Sequence, residues 1–391
     1  MAIPSKAAFW EARKRLAIIS ALLVTLPCLI SSPPAFSNSK NNSSFSKRLK
    51  NIDRSKNDNY TFTIKPKFTS VNEFSEGFAS VYIGYRNGYI NDAGRVVIPP
   101  VFDGAGEFSQ GLAWVNMGGK WGYINKKGFL AIKPTFDTAR EFTQGMALVK
   151  SGDKWGFINK AGKFVIQPQY DDAMSFTADK QSKVANQLTL APVKIGEKWG
   201  YIDRSGNLVI KPQFDKAASF SENMAPVRIG KKWGYINSTG KLAIAPQFER
   251  AWNFSEGLAL ASIDSKWGYI NSKGKFHIKP TYFEASSFSD GLASVWINGK
   301  YGYINKKGKL VIKPQFEDVG KFSQGLAKVN IDGKWGYIDK SGQIVISPQF
   351  DHASKILSYQ TSATDSKIGK AWVKVGEKWG YISIPLNDKR I

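Results

Sequence analysis

From residue 61 onward the chain alternates short apolar runs with polar, Gly-containing breaks, and nothing recurs at helical spacing. One stretch reads Phe322-Ser-Gln-Gly-Leu-Ala-Lys-Val-Asn-Ile, Asp-Gly, Lys334-Trp-Gly-Tyr-Ile-Asp, Lys-Ser-Gly, Gln343-Ile-Val-Ile-Ser-Pro348. Its three apolar runs are short, rich in β-branched and aromatic residues and bounded by turn signals, which is strand chemistry. Asp-Gly before Lys334 suits a tight hairpin. Lys-Ser-Gly supplies a second turn, with a glycine able to take φ > 0. The proline is expected to end the third strand, where a ladder donor is no longer needed. A loop of the form Pro-Gln-Phe-Asp-x-Ala-x-x-Phe-Ser-x-Gly then leads into the next unit.

This unit repeats. The glycine of a Trp-Gly pair falls at Gly122, Gly156, Gly200, Gly234, Gly268, Gly336 and Gly380, with Asn87-Gly88 and Tyr301-Gly302 filling the remaining positions. Successive spacings are 34, 34, 44, 34, 34, 34, 34 and 44 residues, and prolines and alanines keep the same period. A fixed period of this size marks an array of stacked units rather than separate domains. The predicted fold class is therefore all-β: nine repeats of about 34 residues, each three-stranded, across residues 61–384. The two longer spacings place insertions at about 178–189 and 357–369, both polar and both before the Ala-x-Val strand. Loops of this kind on a regular scaffold serve either as recognition elements or as neutral surface.

The order of the strands carries further information. The first third-type strand, Phe62-Thr-Ile-Lys-Pro66, precedes any Ala-x-Val or Trp-Gly strand, and none follows Ile382. A closed, propeller-like ring uses this offset, with the N-terminal strand completing the last unit and removing exposed sheet edges. An open β-solenoid starting in that frame is the alternative. The two differ in whether residues 61–65 pair beside residues 379–382.

Before the array, residues 1–15 carry Lys6, Arg13, Lys14 and Arg15 against Glu11, and residues 16–30 form an uncharged apolar run. Ser-Ser-Pro-Pro and Ala35-Phe36-Ser37 follow. A basic segment, a short apolar run and a small-residue triplet read as a secretory signal peptide over 1–37, cleaved near Ser37. Fifteen residues are too few to span a bilayer. The mature chain is thus expected to be exported, to the periplasm, cell surface or medium, without a transmembrane helix. The lone Cys28 would leave with the signal, and disulfides with it. Residues 38–60, rich in Asn, Ser and Lys, read as a flexible basic linker. Residues 385–391 read as a C-terminal tail.

The recurring Gly-x-Lys-Trp-Gly-Tyr-Ile-Asn/Asp-x-x-Gly-Lys-x-Val-Ile-x-Pro-Gln-Phe-Asp pattern resembles the bacterial WG-repeat (KWG-repeat) family. The resemblance implies a β-rich array found in surface or envelope proteins and serving binding or scaffolding. It brings no catalytic residues. The first unit departs from it, since Arg86-Asn87-Gly88 lacks the tryptophan.

Charge then enters the argument. The 391 residues hold 55 Lys+Arg against 31 Asp+Glu, a net +24, and the signal region accounts for about three of these. Nine bases precede the Trp position: Arg86, Lys120, Lys154, Lys198, Lys232, Lys266, Lys300, Lys334 and Lys378. Each follows a hairpin turn, so together they are expected to form a positive rim that attracts polyanions. The other reading is that each lysine packs its stem over a neighbouring aromatic. Further lysines at 126, 127, 163, 211, 279, 306, 307, 309 and 313 broaden the basic surface. The repeated tryptophans read as inter-unit core, with a stacking ladder for sugars or bases as the alternative. Trp114 and Trp372 lie between Ala and Val, where other units place Ser, Leu, Pro or Lys, and are expected to be exposed binding residues. Trp252 and Trp296 are also irregular.

Acids recur after the proline at Asp103, Asp137, Asp171, Asp215, Glu249, Glu317 and Asp351, a spacing that suits turn capping and lacks a calcium-loop run. Two histidines and one cysteine leave little for metal or nucleophile chemistry. No catalytic residue, cofactor or metal ligand is expected. The reading is a non-enzymatic exported repeat protein that binds an anionic envelope polymer or an acidic protein through a basic rim. A protein–protein scaffold is the alternative, and a carbohydrate-active hydrolase a third reading. Export argues against a physiological nucleic-acid partner.

Overall fold

The computed structural model describes residues 60–177, 189–359 and 368–386, all within the unit Asp53–Ile391. The signal segment, the linker apart from Tyr60, most of both insertions and the end of the tail lie outside the described residues. Among the described residues every regular element is a strand, and the strands form nine antiparallel sheets. The sheets are the blades of a nine-bladed β-propeller.

One blade shows why the repeat folds as it does. Leu112–Met117 and Lys120–Asn125 form a hairpin about Gly118 and Gly119, both at positive φ. Leu130–Phe136 is the outer strand beside them. The segment after Phe136, read from sequence as a loop, supplies an inner strand to the next blade. It runs six residues at Gly104–Ser109, Thr138–Thr143 and Arg250–Ser255, and two residues in five other blades. In the seventh blade, around Leu292–Ile297, only single bridges form at Ala285 and Ser289. The sheets are therefore mostly four-stranded. The inner strand is built on small residues such as Ala105 and Ala139 rather than β-branched ones, so its propensity signal is weak.

The proline does not end the outer strand, as the sequence suggested, but lies within it. Trp121 faces Phe136 and Tyr123 faces Ile132, so two residues of the middle strand span four of the outer one. The surplus forms a bulge around Pro134 that crosses Gly122 closely. A Cβ on Gly122 would lie 2.5 Å from the Ile132 carbonyl oxygen and 2.7 Å from the Pro134 nitrogen. Glycine removes the clash, and proline removes an N–H that the bulge would leave unpaired. The same crossing recurs at each Trp-Gly position.

Neighbouring blades meet in three layers. Outermost, the bulge turns Ile98, Ile132 and their counterparts toward the turn glycine of the next blade, as with Ile98 beside Gly128. In the middle, a tyrosine two residues beyond the Trp position, replaced by Phe157 in the third blade, is fully buried and in most blades packs on a phenylalanine of the next. The ring centroids are 5.0 Å apart for Tyr89–Phe108 and 4.9 Å for Tyr123–Phe142. Its hydroxyl donates to the next inner strand, Tyr123 to Arg140 O at 2.8 Å. Burial pushes these hydroxyls well above the usual tyrosine range. Innermost, the Phe-Ser-x-Gly motif is a clasp. Ser109 Oγ donates to Phe142 O at 2.6 Å, and Gly145 N donates to Gln110 Oε1 at 2.9 Å. Gln110 and Gly111 both take positive φ, a turn that suits tightly twisted strands.

The ring closes as the strand order suggested. Thr61–Phe68 pairs with Lys378–Pro385, Phe62 opposite Ile382 and Ile64 opposite Tyr381. A Cβ on Gly380 would lie 2.8 Å from Ile64 O and from Pro66 N, so the closing strand reproduces the glycine–proline crossing across the ends of the chain. Phe74 then packs on Tyr381 at 4.7 Å, completing the aromatic layer. The repeated tryptophans are half-buried, with Trp199 and Trp335 buried. The most deeply enclosed ring is the tyrosine one.

Gly122→Ala should destabilise the protein by about 1–3 kcal/mol, the range for forcing atoms into a packed site. Gly118→Asn, in open space at φ 61°, should cost no more than about 1 kcal/mol. Denaturant unfolding of the two variants beside the parent checks the contrast.

Candidate functional site

The nine bases that precede the Trp position lie on the face carrying the first hairpin turns. They do not stand there alone. Lys120 Nζ lies 2.5 Å from Asp137 Oδ1, and Gly152 N donates to the other carboxylate oxygen at 2.8 Å. Each recurring acid therefore joins the base of one blade to the turn of the next. Arg86–Asp103, Lys154–Asp171, Lys198–Asp215, Lys300–Glu317 and Lys334–Asp351 repeat the pair. Three bases depart from this pattern. Lys266 sits over Phe283, which replaces the acid, at 5.7 Å from the ring. Lys378 meets the closing strand, where the corresponding residue is Thr69. Glu249, in the acid position opposite Lys232, accepts from Ser265 N instead. The expected positive rim is thus largely a ring of alternating signs.

Two further expectations meet a different structure. Trp372 is buried, 1% exposed, stacked on Phe74 at 5.5 Å and tilted on Tyr381 at 4.7 Å. Trp114 is half-buried, 4.7 Å from Trp121. Their position tolerates polar residues because it faces the inner strand of the next blade, not solvent. Lys328, at the same position, donates to Ala353 O at 2.8 Å, and Ser80 to Ala105 O. Trp252 is the exposed one, at 57%, and Trp296 packs edge-on against exposed Phe283.

The opposite face, carrying the turns between middle and outer strands, holds the unpaired charge. In each turn an Asn or Asp side chain caps the backbone, as Asn125 Oδ1 accepts from Lys127 N and Phe129 N. That capping projects the intervening bases outward. Lys126 and Lys306 reach back to Glu76 and Glu256 of the preceding blade. Lys127, Lys163, Lys273, Lys275, Lys307 and Lys309 are exposed and make no ion pair among the described residues. Lys211, Lys279 and Lys313 stand exposed on the outer strands between these turns and the rim.

The inner strands contribute a third set. At the bulge two residues beyond each inner alanine or valine the chain places Glu73, Glu107 and Glu141 in three successive blades, then Ser175, Ser219, Asn253 and Ser287, then Lys321 and Lys355. Burial raises the Glu73 carboxyl, with Lys355 opposing and Glu107 adding to the rise. Burial likewise raises Glu107, opposed by Lys355 and assisted by Glu141. The charges therefore sense one another around the ring's centre. A cavity of about 590 Å³ opens there among Glu73, Lys321, Lys355, Ser354 and His352. Sequence reasoning missed this set, although its signal was present as a repeat column that passes from glutamate to lysine along the chain. Among the described residues, no group of three or more His, Cys, Asp or Glu is placed to hold a metal ion.

The rim acids give a pH dependence. The carboxyls of Asp137, Asp171, Asp215 and Asp351 are held below the usual range, first by the lysine hydrogen bond and then by the glycine N–H. A group whose pKa falls on folding stabilises the fold above its unfolded value and loses that contribution as pH drops through the folded value. Melting temperature should therefore fall on acidification below about pH 4. Replacing the four aspartates by asparagine should flatten that fall, as thermal melts across the acid range would show.

Comparison with known proteins places the chain. A crystal structure of a eukaryotic initiation factor superposes with a TM-score of 0.52 at 12% identity, over 78% of this chain and 95% of that one. Kluyveromyces lactis Hsv2 gives 0.35 at 10% identity, over 61% and 93%. At such identities the first likeness concerns the fold alone. No curated protein matches the sequence. The model of the WG containing repeat matches residues 57–86, 88–121, 121–155, 155–199, 199–233, 233–267, 267–301, 301–335 and 335–358. These nine consecutive matches span residues 57–358, well over half of the chain, and the chain belongs to the WG-repeat family.

Proposed function

We propose that the protein is an exported, non-enzymatic binding scaffold that holds an anionic envelope polymer across the face bearing the turns between middle and outer strands. The propeller repeat fold is that of a binding or scaffold module. The observation that carries the finer reading is the set of exposed, unpaired lysines on that face, against the neutralised pairs on the other. Lysines repeating around a ring present a continuous positive field to a long polyanion, and a polymer gains by contacting several blades at once. Export rests on the basic, apolar and small-residue segments of residues 1–37.

A second reading, a protein scaffold, is favoured by the outer strands. Leu208 and Val209, Leu310 and Val311, and Leu130 are exposed on strands whose outer edges are unpaired. Small apolar patches of this kind serve protein contacts. Bulge prolines and neighbouring lysines guard the edges against indiscriminate pairing.

The readings separate by salt and by variant. Retention on an immobilised acidic polysaccharide should be strong at low ionic strength and fall steeply toward about 0.5 M salt, where screening is nearly complete at contact range. K127Q, K163Q, K307Q and K309Q together should weaken binding about tenfold or more, taking up to about 1 kcal/mol for each exposed charge. K120Q, K154Q and K334Q together should change it much less. No retention at low salt, or equal losses from the two sets, would sink the polyanion reading.

A further inference from the structure

A repeat protein multiplies whatever its fold requires, so neighbouring positions that depart from the repeat together point to something other than folding. The seam between the sixth and seventh blades is such a place. At other seams the acid after the outer strand clamps a base to a turn. Lys120, Lys154, Lys198 and Lys334 each hold one carboxylate oxygen at 2.5 Å, and the second oxygen accepts a turn N–H at 2.6–2.8 Å. That corner of a blade is therefore built to hold a carboxylate. At the seventh blade the acid is replaced by Phe283, which has no acceptor, so Lys266 and the turn amides of Asn298 and Gly299 face no carboxylate from that position. Lys266 makes no ion pair among the described residues. The neighbouring acids are committed elsewhere, Glu249 to Ser265 N and Glu284 to the Tyr301 hydroxyl.

The replacement is more than the loss of an acid. The first blade also lacks it, but carries the small polar Thr69 there. The seventh instead presents Phe283, 61% exposed, beside half-buried Trp296, in a column where the other blades place Tyr, Asn, Ser, Lys or Arg. The two rings meet edge-on with centroids 6.3 Å apart. Tyr301 takes the Trp position, and its hydroxyl donates to the Glu284 carboxylate, next in the chain to Phe283. Trp296 N donates to Glu284 O at 2.9 Å, so both rings are tied to one residue. Lys266 Nζ stands 5.7 Å from the Phe283 ring, which puts a cation and an aromatic surface side by side. Apolar rings left in water do nothing for the fold and mark a contact surface.

We propose that this seam binds a uronic acid residue, a pyranose ring that carries its own carboxylate. The guest's carboxylate takes the place of the missing acid between Lys266 and the turn amides, through charge-assisted hydrogen bonds. The C–H face of the sugar packs on Phe283 and Trp296, which supply rigid apolar area. A carboxylate borne directly on a ring suits a cation standing this close to an aromatic surface. An acidic peptide side chain brings the charge without the ring face, and a neutral sugar brings the face without the charge. The subsite lies on the face of the first hairpin turns, and does not depend on the polymer reading of the opposite face.

Calorimetric titration of the full-length protein with trigalacturonate tests this, with its methyl ester, a triglutamate peptide and benzoate as comparison ligands. Trigalacturonate should bind, and the three comparison ligands should bind more weakly. F283D restores the acid that the other seams use, so it should close the Lys266 bridge and weaken trigalacturonate about tenfold or more, the scale of a lost charged hydrogen bond. The same variant should melt no lower than the parent, which keeps loss of binding distinct from loss of fold. K266Q, at an exposed side chain, should weaken binding to a similar degree. K154Q, the same position in a seam that has its acid, should leave binding unchanged. Absence of binding at millimolar trigalacturonate, undiminished binding by F283D and K266Q, or equal or tighter binding of the ester, triglutamate or benzoate would overturn the assignment.

Discussion

Wherever the middle strand carries the glycine of its Trp-Gly pair, the outer strand passes so close that no side-chain carbon fits between them. This crossing organises the blade. It forces surplus residues of the outer strand into a bulge, and a bulge adds local twist. It places a proline where a backbone donor would be stranded. It also turns the isoleucine before the bulge toward the next blade, where it packs on a turn glycine. Tryptophan marks the motif, but glycine is what the geometry cannot exchange. The first blade shows this: Asn87 replaces the tryptophan, yet a Cβ on Gly88 would still fall 2.7 Å from Ile98 O.

Much of this was legible in the chain itself. The period, the hairpin turns, the all-β class and the closing role of residues 61–68 all follow from residue type and spacing. The inner strand was not legible, because its alanines carry no strand propensity and its pairing depends on the hairpin beside it. Nor was the pairing of Lys120 with Asp137. Both residues are visible in sequence, but only the ring brings the end of one outer strand to the foot of the adjacent hairpin. Trp372 was misread for a related reason. A position that tolerates serine, proline and lysine looks solvent-facing, yet here it abuts the next blade, where hydroxyl, ammonium and indole each find a partner or a packing surface.

The same reasoning separates structural from functional chemistry in any array of this kind. Columns that repeat faithfully, such as the aromatic ring buried at each seam, belong to the assembly of the ring. Columns that drift are free to be used. Here they lie on the turn face, where lysines vary in number from blade to blade, and in the channel, where the chain passes from glutamate through serine to lysine. The two regions lie apart on the blade, so one ring can offer separate surfaces to separate guests.

The closing strand has a mechanical meaning as well. Thr61 lies opposite Ser383, so the first and last strands enter and leave the ladder at the same end. A tension applied to those two points would peel their hydrogen bonds one after another instead of loading them together in shear. The ninth blade is therefore the place where the ring opens under force, with the other eight left folded behind it.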